Sequence, residues 1–151
     1  MKLCNPRIVG LVAALALAFT APAYANAPSG RYTASGGTVY DTKTKLTWQQ
    51  TITPTAYSFT DATTYCASLG ASLGGAGWRV PTIKELQTIL DLSQAAGPFV
   101  DRTAFPSTPL HYFWSSTPQV GTSSGPWIVD FGLGNLTLPG MSTANNVRCV
   151  H

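Results

Sequence analysis

Charge is scarce in this chain. Charged residues make up 10% of its 151 residues, against roughly a quarter in ordinary soluble domains. Glutamate occurs once, at Glu85, and histidine only at His111 and His151. General acid–base catalysis rests on a histidine or on a pair of carboxylates held together, and here the supply is thin. No S-x-x-K pair occurs either. The expectation is a non-enzyme that uses no cofactor. There is no basic run and no interleaving of basic with aromatic residues, so no nucleic-acid partner is expected. Calcium takes six to eight oxygens, commonly with several carboxylates. The six acidic residues are scattered, so no metal site is expected.

Long apolar runs are nearly absent as well. Ile8 to Phe19 is the one candidate, and it is shorter than the roughly 20 residues a membrane-spanning helix needs. Lys2 and Arg7 precede it and Ala23-Tyr24-Ala25 follows, the layout of a cleavable signal peptide. Residues 1–25 are read as that signal, with cleavage after Ala25. A secreted or periplasmic location without a membrane anchor follows. Cys4 lies before the apolar run, where a lipid-attachment cysteine would not sit. Without Lys2 and Arg7, seven basic side chains face six acidic ones, so much of the pI near 8.9 belongs to the signal.

Cysteine is sparse: Cys66 and Cys149 alone remain in the mature chain. In an oxidising compartment the default is a disulfide between them. A free redox pair is the alternative, disfavoured by the lack of a C-x-x-C motif.

The most informative stretch runs from Gly77 to Gln87. Pro81 disfavours a helical Val80. Thr82 and Glu85 then form a T-x-x-E capping box, and Ile83, Leu86, Ile89 and Leu90 follow at helical spacing. Upstream, Asn26 to Gly30 reads as a polar leader, with 26–37 lying before the domain proper. Thr38-Val39-Tyr40 and Leu46 to Gln49 flank Asp41 to Thr44, which predicts a hairpin. Ser58 or Thr60 is expected to cap a first helix, with Phe59, Ala62, Cys66 and Leu69 on one face and Gly70 as its C′ residue. Gly70 to Gly77 is a glycine-rich loop. It leads into Trp78 and Pro81 rather than a helix with Lys-Ser/Thr, which argues against a phosphate cradle.

Downstream, Gly97-Pro98 is expected to end the second helix. Tyr112 to Ser116 reads as an aromatic-rich strand, and Gly121 to Gly125 as a Ser/Gly loop. Trp127, Val129 and Phe131 alternate with Ile128 and Asp130, predicting a half-buried strand. Gly132 to Asn135 turns the chain into Leu136-Thr137-Leu138. Val147, Cys149 and His151 alternate with Arg148 and Val150 in a last strand. The class is α+β, two helices packed on short antiparallel strands with one disulfide.

Several of these motifs occur together in a known order. Leu46-Thr47-Trp48, Gly77 to Thr82 with Lys84-Glu85-Leu86, Phe105-Pro106, Trp114 to Thr117, Trp127 to Phe131 and Val147 to Val150 follow one another. This resembles the Lcl C-terminal domain family, named for the C-terminal domain of the Legionella collagen-like adhesin, over residues 38–151. The resemblance implies a C-type-lectin-like fold related to the formylglycine-generating branch of that superfamily. A disulfide from the first helix to the last strand is also what such domains use. In the adhesin, the similar domain is a trimeric module that binds sulfated glycosaminoglycans. No collagen-like repeat sets an oligomeric state in these residues. The Glu-Pro-Asn, Gln-Pro-Asp and Trp-Asn-Asp signatures of calcium-dependent sugar binding are missing too.

Trp48, Trp78, Trp114 and Trp127 are large apolar groups in a small domain and are read as fold core. By resemblance, segments 97–110 and 118–126 form the loop face where ligands are held. Arg102, His111, Tyr112, Gln119 and Asn135 are the candidate contacts. The function expected is an exported recognition or adhesion module binding a glycan or an extracellular or envelope protein. The alternatives are a structural, self-associating envelope protein and a degenerate enzyme of the formylglycine-generating type.

Overall fold

The computed structural model describes residues 27–121, 125–138 and 144–151. The expected signal peptide lies outside these residues, as does the middle of the Ser/Gly loop. Two three-stranded antiparallel sheets are joined by short helices and long connections. The first sheet has the order β1 (Tyr32–Ser35), β2 (Thr38–Asp41), β3 (Thr47–Gln49). The second has β4 (Tyr112–Pro118), β5 (Pro126–Asp130), β6 (Asn135–Thr137). Between them come α1 (Phe59–Ser68), α2 (Gly70–Leu73) and α3 (Ile83–Thr88).

The hairpin of β2 and β3 forms in the register Tyr40↔Thr47. Asp41 builds its turn by accepting from the Lys43 N–H at 2.9 Å. The segment 26–37, read from the sequence as a leader, contributes a strand. Gly36 and Gly37 have φ of 57° and 82°, as a tight I′-type hairpin turn demands. They fold β1 back onto β2 with Ser35 opposite Thr38.

Ser58 caps α1 by accepting from the Asp61 N–H. Gly70 does not end the helix: it opens α2, and Gly74 at φ 73° makes the stop. The result is one short bent helix. A Cβ at Gly70 would lie 2.6 Å from the Gly75 carbonyl oxygen, so glycine is needed there for close approach rather than for a left-handed turn.

Both halves of the Thr82–Glu85 capping box are formed in α3. This helix stops at Thr88, well short of Gly97-Pro98. The Asp91 N–H is taken by the Phe99 carbonyl at 2.8 Å, and the Asp91 carboxylate accepts from the Ser93 N–H and from Gln94. That turn replaces further helix.

The second sheet separates two cores. Phe113 and Val129 pack with Trp48, Leu86, Phe105 and Phe131 on one side. Their strand neighbours Trp114 and Ile128 pack with Ala62, Cys66, Trp78 and Cys149 on the other. Adjacent strand residues face opposite ways, so β5 has no solvent face. Ile128, Val129, Asp130 and Phe131 are all buried, and Trp127 is the half-buried one. The half-buried alternation expected there fails because both faces are covered.

The last segment also differs from its expected strand. Residues 145–150 are buried without exception. They make isolated bridges to Tyr57, Phe113, Trp48 and Arg79 instead of one ladder. Bonded to β4 at its start and to β3 and Arg79 at its end, this segment has no outward side. The disulfide joins it to α1, with Cys66 and Cys149 both fully buried and their Cα atoms 5.5 Å apart.

Candidate functional site

Three segments converge on one face. The connector after β3, the start of β4 and the C-terminal segment are laced by backbone bonds. Tyr57 and Asn145 exchange N–H to carbonyl bonds at 2.8 and 2.9 Å. The Asn146 N–H donates to the Tyr112 carbonyl at 3.0 Å, and the Trp114 N–H to the Asn146 carbonyl at 2.9 Å. The Trp114 indole N–H reaches the Tyr57 carbonyl at 2.7 Å, closing the lattice from the core side.

Above it lie two adjoining hollows of about 350 and 490 Å³ that share Pro54, His111 and Asn146. Ala56, Tyr112, Ala144 and Asn145 complete the first, and Ile52, Ser107 and Pro109 the second. Together they form a groove with apolar walls, an exposed aromatic rim and an amide floor. Tyr112 is 40% exposed and Asn145 3%. The Asn145 side-chain nitrogen is buried with no hydrogen-bond acceptor among the described residues. The Asn146 amide reaches the Tyr112 carbonyl only at 3.5 Å. Ser107 adopts φ 56°, the left-handed region that a serine rarely occupies.

Arg148 fixes two of the groove's walls from below. Its guanidinium donates to the Gln49 and Gln50 carbonyls at 2.8 and 2.5 Å, and to Thr108 Oγ1 at 2.7 Å. Gln50 leads into the connector and Thr108 lies between Ser107 and Pro109. Burial alone pushes the Arg148 guanidinium down to about 9, so it stays charged at neutral pH.

Of the five candidate contact residues, His111 and Tyr112 line this groove. Arg102 is turned onto its own loop, donating to the Ala96 and Gly97 carbonyls. Asn135 opens β6 opposite Asp130, and Gln119 follows β4. Neither lines the groove. Asn145 and Asn146 were missed. An Asn-Asn pair beside the alternating run of the last segment is the available signal.

The acidic residues serve local structure. Asp41 is desolvated, but its bonds to Arg31 and Lys43 N–H outweigh this and hold it below the usual carboxylate range. The Arg79 guanidinium holds Glu85 down to about 2, helped by Thr82. Asp101 accepts from the Thr103 and Ala104 N–H groups, and Asp130 from those of Gly132 and Leu133. Among the described residues no three His, Cys, Asp or Glu side chains gather as metal ligands would. Trp48, Trp78 and Trp114 are buried and Trp127 half-buried, so the tryptophans do not form the rim.

No curated protein matches the chain. Residues 37–151 match the family model of the Lcl C-terminal domain, and the chain belongs to that family.

Proposed function

We propose that this protein is an exported, non-catalytic recognition module of the adhesin-related kind, with a C-type-lectin-like arrangement, that binds a glycan in the groove beneath Tyr112 and His111. The carrying observation is the groove itself. Apolar walls and an aromatic rim stand over side-chain amides, the mixture that orients a small polar ligand. Family membership supports an adhesin-related role. The disulfide from the first helix to the last segment supports the fold reading, and the local duties of the carboxylates support a non-catalytic one. Export accounts for a bridged pair of cysteines.

The test is a glycan array probed with the mature protein, with and without chelator. Tyr112→Ala and His111→Ala should each weaken binding, and chelation should leave it unchanged. Binding by neither the wild type nor a variant to any glycan would sink the proposal.

One observation favours a second reading, self-association. Leu92, Leu110 and Leu133 are 66%, 60% and 70% exposed. Leu92 borders Gly134 and Leu110 borders Gly132, so they surround one turn. Exposed apolar clusters mark contact surfaces. Light scattering that gave a dimer or larger, reverting to monomer in Leu133→Ser, would favour this reading.

A further inference from the structure

We propose, resting on the glycan reading above, that the groove selects an uncharged saccharide: a neutral pyranose whose C–H face lies against Tyr112 and Pro54 and whose hydroxyl or acetamido oxygen accepts from Asn145.

The charge distribution argues first. A sulfated or carboxylated sugar needs guanidinium or ammonium groups aimed at it, because a bound anion gives up its hydration. Among the described residues no lysine or arginine lines either hollow. Each described arginine is occupied elsewhere. Arg31 is on Asp41 and Arg79 on Glu85. Arg102 holds the carbonyls of its own loop, and Arg148 is fully buried beneath the walls. An anionic ligand would meet amides, a serine, prolines and aromatic rings.

The lining argues next. A pyranose has an apolar C–H face and a polar hydroxyl edge. The groove sets an exposed tyrosine ring and two prolines against two asparagines and Ser107. Tyrosine presents a flat apolar face with a polar tip, which suits the first surface of the sugar.

Asn145 argues last. A buried amide N–H without an acceptor is unfavourable, and here it sits in the floor of a groove. A small rotation of the amide toward the hollow pairs it with a ligand oxygen. A neutral hydroxyl or acetamido carbonyl fulfils that role in a lining that, among the described residues, holds no carboxylate, lysine or arginine.

The experiment is a binding titration of the mature protein against matched neutral and sulfated oligosaccharides. Each is run at ~50 and ~300 mM salt, where screening lengths differ about twofold. Tyr112→Ala and Asn145→Ala are run beside the wild type. Tyr112 is at the rim, so its variant keeps the fold, and thermal melting checks both. The expected result is neutral binding unchanged by salt and weakened about tenfold in Tyr112→Ala. Sulfated binding that disappears at high salt and weakens in Tyr112→Ala, with no neutral binding, overturns this inference and leaves the glycan groove standing. Binding indifferent to both variants, or no binding at all, overturns the groove reading and this inference with it.

Discussion

The Arg148 guanidinium lies 4.8 Å from the centre of the Phe105 ring, fully buried. Among the described residues no carboxylate pairs with it. Two backbone carbonyls, one hydroxyl and an aromatic face carry the solvation it has lost. Its Nε has no hydrogen-bond partner among the described residues. A charge held in this way binds the connector, the Thr108 loop and the C-terminal segment into one unit.

Replacement of Arg148 separates packing from charge. Arg148→Ala leaves a cavity and orphaned acceptors, with an expected loss of about 3 kcal/mol or more. Arg148→Met keeps most of the volume and removes a buried charge that has no carboxylate partner among the described residues, so its expected loss is about 1–2 kcal/mol. Urea denaturation of both variants measures the order. Equal losses would mean that the hydrogen bonds, and not the filled space, dominate.

Acid should loosen the start of α3. The Arg79 guanidinium holds Glu85 down to about 2 in the folded protein, against an ordinary value of 4.5. Its folded value is depressed, so the contribution is complete above 4.5 and is lost as pH falls toward about 2. Its Arg79 partner is 46% exposed, and solvent screening reduces the ion pair to about 1 kcal/mol. Glu85→Gln keeps a capping side chain while losing the charge. The variant should be less stable at neutral pH and should converge on the wild type near pH 2. Melting curves that stayed parallel across that range would contradict the assignment.

Local chemistry made much of the fold legible, because capping and turn signals act within a few residues. Thr82 and Glu85 meet over a single helical turn, and Asp41 folds its own hairpin. What escaped the sequence was set by distant neighbours. The alternation around Ile128 and Arg148 says that one side faces away, but not that a second core or segment covers that side. Gly36-Gly37 is a readable turn signal, but β1 is only four residues long and largely exposed, so no buried alternation marks it as a strand. At the groove, His111 and Tyr112 were legible as exposed aromatics after a proline-rich loop. Asn145 and Asn146 were not, since only the pairing of Tyr57 with Asn145 brings that segment beneath the connector.

Reduction of the disulfide should destabilise the whole domain. Cys66 and Cys149 are 83 residues apart, so in the chain-entropy account the bridge restrains a long loop and contributes about 4–5 kcal/mol. Both sulfurs are buried, so reductant should act only through unfolding. Guanidine titrations with and without reductant measure the difference. Cys66→Ala/Cys149→Ala should match the reduced protein. A double variant as stable as the oxidised wild type would show that packing alone holds the termini together.

Gly70 at the bend and Gly74 at the stop of the bent helix are glycines for different reasons, and substitution separates them. On helix propensity alone, Gly70→Ala at the start of α2 would gain about 1 kcal/mol. The added Cβ instead meets the Gly75 carbonyl oxygen at 2.6 Å, a backbone atom with little room to retreat. Gly75 in turn faces the His151 ring, and that ring lies against Trp78 with centroids 4.5 Å apart. A shift of Gly75 therefore disturbs the packing over the second core. The expected loss for Gly70→Ala is about 1–3 kcal/mol, the range of overpacking. Gly74→Ala has open space around it but must hold φ 73° with ψ 174°, a conformation essentially reserved for glycine, at about 1–3 kcal/mol. Thermal melts measure both losses, with Gly74→Asn added. At φ 73° and ψ 174° Gly74 lies outside the left-handed helical region that asparagine tolerates, so Gly74→Asn should lose as much as Gly74→Ala. At Gly70 no residue with a Cβ should do better than alanine.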